Sequence, residues 1–140
     1  MASIYGELIN LKSLTISDSQ ITSLPNTIGT LNSLESLQMM NGILTSIPDE
    51  ICNITNLNSL IVGGNQLSIL PNCLFEIDNL STLQIWGNLL TSIPSYDIVC
   101  NIPSVEVNGN KLCEEYNYNC TETYFLFENQ WSPQDQSNCP

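Results

Sequence analysis

ITNLNSLIVGGNQLSILPNCLFE, residues 54–76, is one of several similar copies in this chain of 140 residues. Within it, apolar residues, one Asn and one Pro hold the positions that recur: Ile54, Leu57, Leu60, Val62, Asn65, Leu67, Leu70 and Pro71. A shift of 23 residues in either direction finds residues of the same kind at nearly every one of these positions. The copies span residues 8–30, 31–53, 54–76 and 77–98, with a partial copy at 99–112. A period of this length predicts a solenoid in which every copy is stacked on its neighbours.

The pattern LxxLxxLxVxxNxL followed by LP or IP resembles the leucine-rich repeat family, over about residues 5–112. This resemblance implies an α/β solenoid, a right-handed coil with a parallel β-sheet on its concave side and 3₁₀ or irregular structure on its convex side. Ser19 and Gly42 stand where later copies have Asn. We therefore expect the row of buried amides to be incomplete in the first two copies.

Each copy also predicts its own local structure. Residues 13–17, SLTIS, alternate between outward hydroxyls and inward Leu14 and Ile16, as in a short strand. An Asn such as Asn65 suits the corner that follows, because its amide both donates and accepts hydrogen bonds. One Pro per full copy then ends the extended segment, since proline fixes φ and has no N–H to leave unpaired.

Charge and composition exclude several function classes. The chain has 14 acidic side chains, two lysines and no histidine, for a net charge of −12. This balance argues against binding nucleic acid, and its simplest consequence is solubility. Without histidine no Ser-His-Asp or Cys-His arrangement can form, and the adjacent pairs Asp49-Glu50 and Glu114-Glu115 lie in predicted loops. We expect a protein that is not an enzyme, has no cofactor and no metal site, and contains no membrane span.

Six cysteines suggest disulfides and therefore an oxidising compartment. Cys52 and Cys73 fall on the convex side of adjacent copies, so they can pair. The segment NGNKLC, residues 108–113, resembles the entry to the C-terminal cap of plant-type extracellular leucine-rich repeat domains, which implies a Cys113–Cys120 bond and a cap at 113–140. Cys100 and Cys139 would then join the tail to the fifth copy. Other pairings, and free or metal-bound thiols, remain open.

N-glycosylation sequons occur at Asn53, Asn79 and Asn119, about as many as chance would give. They are compatible with a secreted protein but do not by themselves indicate one. The chain begins in mid-repeat, so Leu8 and Leu11 lack a preceding copy. We expect an extracellular or cell-surface fragment of a longer secreted or membrane-anchored protein. If that end is instead free, it could mediate self-association.

The outward positions of the strands predict the ligand-binding surface. Apolar side chains with no role in the core occur there together with polar neighbours: Gln38, Met40, Ile61, Gln84, Trp86 and Glu106. Large aromatic residues and methionine are enriched at recognition surfaces. The alternative is that Trp86 folds over neighbouring glycines and protects the sheet. Beside this surface runs a further column of Asp18, Asn41, Gly64, Gly87 and Gly109, in which Gly64 and Gly87 leave room next to the apolar side chains.

A second regular row consists of hydroxyl residues before the prolines: Thr22, Thr45, Ser68 and Thr91. Such rows can suit a repetitive ligand such as ice or a polysaccharide, although turn-forming hydroxyls explain them as well.

From the sequence patterns taken together we predict a non-catalytic domain that binds a protein or glycan through its concave face. The alternative is a structural or adhesive block that assembles end to end or laterally.

Overall fold

A computed structural model describes residues 8–93 and 101–112, and it contains one parallel sheet of five strands in chain order. The strands are β1 (Ser13–Ser17), β2 (Ser36–Met40), β3 (Ser59–Ile61), β4 (Thr82–Gln84) and β5 (Ser104–Glu106). Their register follows the sequence period, because Leu14 pairs with Leu37 and Leu37 with Leu60. The predicted parallel sheet is therefore confirmed, with equivalent residues of successive copies side by side.

The side opposite the sheet is built from short 3₁₀ segments rather than α-helices in the part of the chain described. They are Leu8–Asn10, Asn26–Thr30, Asp49–Asn53 and Asn72–Glu76. Pro25, Pro48 and Pro71 stand directly before the last three, with φ between −58° and −72°. This conformation suits proline, so the residue both ends the extended segment and starts the 3₁₀ turn. Pro94 lies outside the described residues.

The core lies between the sheet and the 3₁₀ segments. Leu37, Leu60 and Leu83 point inward from three adjacent strands and have no exposed surface, and Ile51 and Leu74 meet them from the 3₁₀ side. The first copy is less enclosed, since Leu8 is 46% exposed and its neighbours Leu11, Leu14 and Ile16 are only half-buried. The core is thus most completely packed in the central copies.

Buried asparagines form a ladder at the corner after each of the last three strands. Asn65 donates to the carbonyls of Met39 and Val62 at 2.7 and 3.0 Å, and its oxygen accepts from Leu44 N at 3.1 Å. Asn88 and Asn110 repeat this pattern one and two copies later. Each amide bonds the backbone of its own copy and of the preceding one. Ser19 and Gly42 hold the corner position of the first two copies, so the row of buried asparagines begins at Asn65.

The outward face ends in a regular turn after each strand. Asp18, Asn41, Gly64, Gly87 and Gly109 all have positive φ, between 54° and 67°. They form the turn at the end of each strand, where the left-handed conformation favours Gly, Asn and Asp. Backbone geometry therefore accounts for the residue types at these positions.

Candidate functional site

Four of the six predicted contact residues form one continuous row across the sheet. The strand register pairs Gln38 with Ile61, Ile61 with Gln84, and Gln84 with Glu106. All four are half-buried, so part of each side chain faces solvent. We call this set the concave row. It places an isoleucine between two glutamines, with a carboxylate at one end.

Met40 and Trp86 lie beside the concave row, two residues further along their copies than Gln38 and Gln84. Both are half-buried, while Gly63, the equivalent residue of the copy between them, is buried. A Cβ on Gly63 would overlap the indole ring of Trp86, so the ring lies directly on this glycine. The alternative considered from the sequence, an indole folded over a glycine, therefore describes its position. Trp86 as a whole is still only half-buried, so it keeps some contact with solvent.

A hydrogen bond orders the acidic end of the row. Gln84 Nε2 donates to Glu106 Oε1 at 3.1 Å, and this contact is partly buried. The amide holds the carboxylate across the β4–β5 pair and leaves its second oxygen for another donor. The sequence predicted both residues as binding residues, but their contact depends on side-chain conformations that the repeat pattern does not specify.

One ion pair lies at the beginning of β1 and β2. Lys12 Nζ lies 2.8 Å from Glu35 Oε1, and both side chains are largely exposed. The hydrogen bond to Glu35, with its negative charge, raises the pKa of Lys12 above the ordinary 10.5. The pair occupies the edge of the sheet, so Lys12 places no free cation on the concave row.

The convex side carries the one predicted disulfide that falls within the described residues. Cys52 and Cys73 are joined, with their Cα atoms 5.9 Å apart, and the bond links the 3₁₀ segments of adjacent copies. The predicted partners Cys100, Cys113, Cys120 and Cys139 lie outside the described residues. A pocket of about 250 Å³ opens beside the disulfide and is lined by Thr55, Glu76, Ile77, Asp78 and Asn79.

Two predicted sequons also lie away from the concave row. Asn53 is the last residue of its 3₁₀ segment and is exposed. Asn79 is exposed too, but its amide donates to the carbonyl of Thr55 at 2.7 Å. The third sequon, Asn119, is outside the described residues. A glycan on Asn53 or Asn79 would leave the concave face open.

A second regular surface lies between the corner position of each copy, which is Ser19, Gly42, Asn65 or Asn88, and the proline that follows in the sequence. We call it the lateral face; it comprises residues 20–23, 43–46, 66–69 and 89–92, none of which is charged. Thr22, Thr45, Ser68 and Thr91 are all exposed there. Thr45 Oγ1 and Thr45 N both donate to the carbonyl of Thr22, at 3.0 and 2.8 Å, which ties the first two copies together. Apolar groups are exposed as well, because Ile69 is 69% and Leu89 40% accessible.

Within the described residues, no group of acidic, histidine or cysteine side chains could hold a metal ion. Nor does any helix in that part of the chain have the length and hydrophobicity needed to cross a membrane. What the site offers is an ordered surface of apolar, amide and carboxylate groups.

Comparison with known proteins identifies the family. A family model described as a leucine-rich repeat region matches residues 2–102, so the chain belongs to the leucine-rich repeat family. Proteins of this family are generally non-catalytic modules for interaction with other proteins. A search of curated protein sequences finds no match.

Solved structures share both the fold and part of the sequence. A leucine-rich repeat protein of Leptospira interrogans is 28% identical with a TM-score of 0.68, over 80% of this chain and 29% of that one. A plant ice-binding protein is 28% identical with a TM-score of 0.66, over 77% of this chain and 37% of that one. The BIR2 ectodomain of Arabidopsis thaliana is 25% identical with a TM-score of 0.57, over 75% of this chain and 58% of that one. This chain therefore spans between 29% and 58% of their lengths.

Proposed function

We propose that this protein is an extracellular recognition domain that binds a polypeptide ligand on its concave face. The observation that carries the proposal is the outward placement of Met40, Ile61 and Trp86 on neighbouring copies, although the core does not need them. Glutamines and one glutamate border this apolar group. Interfaces commonly concentrate their binding energy in such an apolar centre with a polar rim.

The dimensions of the sheet favour a segment of chain as the ligand. The five described strands at about 4.8 Å spacing cover ~19 Å, and they are three to five residues, or ~10–17 Å, long. The area of these strands is at most ~320 Å², well below the ~800 Å² that each partner contributes to a standard protein interface. An extended peptide, or an exposed loop of a larger protein, matches this area better than a whole folded surface.

An extracellular location is supported by the Cys52–Cys73 disulfide, because such bonds persist in oxidising compartments. It is also supported by the similarity to a plant ectodomain. Sequons on surfaces other than the concave face are compatible with the same location.

A phage library of random 12-residue peptides tests the concave face. Peptides enriched on the wild-type protein should lose at least about tenfold in affinity for an Ile61→Ser variant. The control is Ile69→Ser, which makes the same change on the lateral face and should leave affinity unchanged. Peptides that bind both variants equally well, or a failure to enrich any peptide, would overturn the proposal.

Ice binding is a second candidate function, favoured by the lateral face. That face repeats the same hydroxyl position four times without a charge, exposes aliphatic groups beside it, and belongs to a chain similar to a plant ice-binding protein. Regular rows of hydroxyl and methyl groups suit a ligand that is itself a lattice. Measurements of ice recrystallisation should show inhibition by the wild type that Thr45→Lys abolishes and Thr15→Lys, on the concave face, retains. Equal activity of the two variants, or none in the wild type, rejects this candidate.

A further inference from the structure

The charge on the concave row is negative. Glu106 belongs to the row itself, and Asp18 lies in the turn after β1. Lys12 is paired with Glu35 at the edge of the sheet. Lys111 lies beyond the turn of the fifth copy, next to the corner Asn110. In the described part of the chain, the concave row therefore contains a carboxylate and no cation.

Glu106 is held ready to accept a further hydrogen bond. Gln84 Nε2 contacts only Oε1, at 3.1 Å, and both side chains are half-buried. Partial burial strengthens an ionic contact because less water screens it. The hydrogen bond also fixes the carboxylate before a ligand arrives, which reduces the entropy lost on binding.

The apolar group lies a defined distance from this carboxylate. Ile61 and Glu106 belong to β3 and β5, so two strand spacings, or ~10 Å, separate them. An extended peptide rises ~3.3 Å per residue, so it covers this distance in about three residues. A ligand that lies across the strands can therefore fill both positions with side chains two to four residues apart.

We propose that the segment recognised by the concave face is basic, with a Lys or Arg on Glu106 and an apolar side chain against Ile61, Met40 and Trp86. This inference rests on the proposed function and adds the chemistry of the ligand. The net charge of −12 supports it, because a negative protein attracts a basic segment over distance and accelerates its encounter.

Sequencing the peptides selected on the wild-type protein gives the first result. We expect an excess of Lys and Arg, two to four residues from a large apolar residue, relative to the unselected library. Synthetic versions of the selected peptides should bind the protein in a fluorescence polarisation assay. Raising the NaCl concentration from 50 to 300 mM should lower their affinity severalfold.

Glu106→Gln supplies the second result. It removes the charge but keeps an oxygen for Gln84, so the surface stays ordered; we expect affinity for these peptides to fall about tenfold. Glu76→Gln is the matched control, because it removes the same charge at the end of a convex 3₁₀ segment and should have little effect. Unchanged thermal melting of both variants confirms that they are folded.

The possible failures point to different steps. Peptides that require Ile61 but contain no excess of basic residues, or that bind Glu106→Gln and wild type equally, overturn the basic ligand and leave the proposed function standing. Peptides that do not depend on Ile61 overturn both.

Discussion

Replacing Asn88 by alanine tests how much the corner ladder stabilises the solenoid. The side chain is 3% exposed and makes four hydrogen bonds. Its Nδ2 donates to the carbonyls of Val62, Ile85 and Trp86 at 3.0, 3.0 and 3.2 Å, and its Oδ1 accepts from Leu67 N at 3.0 Å. Asn88→Ala removes all four contacts from the centre of the described array.

The cost depends on which partners retain another contact. Val62 O still accepts from Asn65, Ile85 O from Asn110, and Trp86 O from Gly64 N. Leu67 N–H loses the acceptor that Asn88 provides, and a buried donor without a partner costs ~1–3 kcal/mol. When the smaller losses at the three carbonyls are added, we expect the free energy of unfolding to fall by about 3 kcal/mol.

Urea unfolding followed by tryptophan fluorescence measures this change. Asn58→Ala is the control, since Asn58 is exposed; its Nδ2 donates to the carbonyl of Asn79 and its Oδ1 accepts from Ser81 Oγ, both at 3.0 Å. That variant should lose no more than about 1 kcal/mol. If the two substitutions destabilise the protein equally, the buried amides are not the source of corner stability, and the argument for the ladder is refuted.

Three further predictions concern the core, the disulfide and the ion pair. Leu83→Ala should lower the unfolding free energy by about 2–5 kcal/mol in the same urea assay, because its side chain is fully buried; a loss below 1 kcal/mol would contradict the inward assignment. Cys73→Ser breaks the bond to Cys52, which spans 21 residues, and should cost about 3 kcal/mol, whereas an unchanged melting temperature under reducing conditions would argue against this bond. Because the pKa of Lys12 is raised in the folded protein, the ion pair contributes fully to stability below the ordinary Lys pKa, and this contribution is lost as the pH rises through the folded-state pKa. An NMR titration should show a lower Lys12 pKa in the Glu35→Gln variant. An unchanged pKa would mean that Glu35 does not cause the shift.

The repeat period was sufficient to predict most of the framework. The spacing of Leu37, Leu60 and Leu83 gives the strand register directly, because a one-residue slip would turn these side chains away from the core. The proline of each copy likewise predicted where the extended segment ends. Such positions repeat because every copy must present the same inward surface to its neighbours.

Features that depend on backbone conformation or on one side chain were harder to predict. The sequence places the column of Asp18, Asn41 and Gly64 beside the outward face, but only the backbone conformation shows that a series limited to Asp, Asn and Gly reflects positive φ. The Gln84–Glu106 contact required knowledge of side-chain conformations across two strands. The repeat period identifies which residues are neighbours on adjacent strands, but it does not specify how their side chains are oriented.

The position of Trp86 reconciles the two interpretations that the sequence left open. Its indole lies on Gly63 and shields that backbone, yet the residue as a whole is only half-buried. Immobilising a flexible side chain at an interface costs roughly 0.5–1.5 kcal/mol, and a ring already supported by a glycine avoids most of this cost. Covering the sheet therefore prepares Trp86 for binding. Gly63→Ala should displace the indole ring and lower the affinity of the peptides selected on the wild-type protein, although Met40, Ile61 and Trp86 are all retained. Unchanged affinity would mean that Trp86 only protects the sheet.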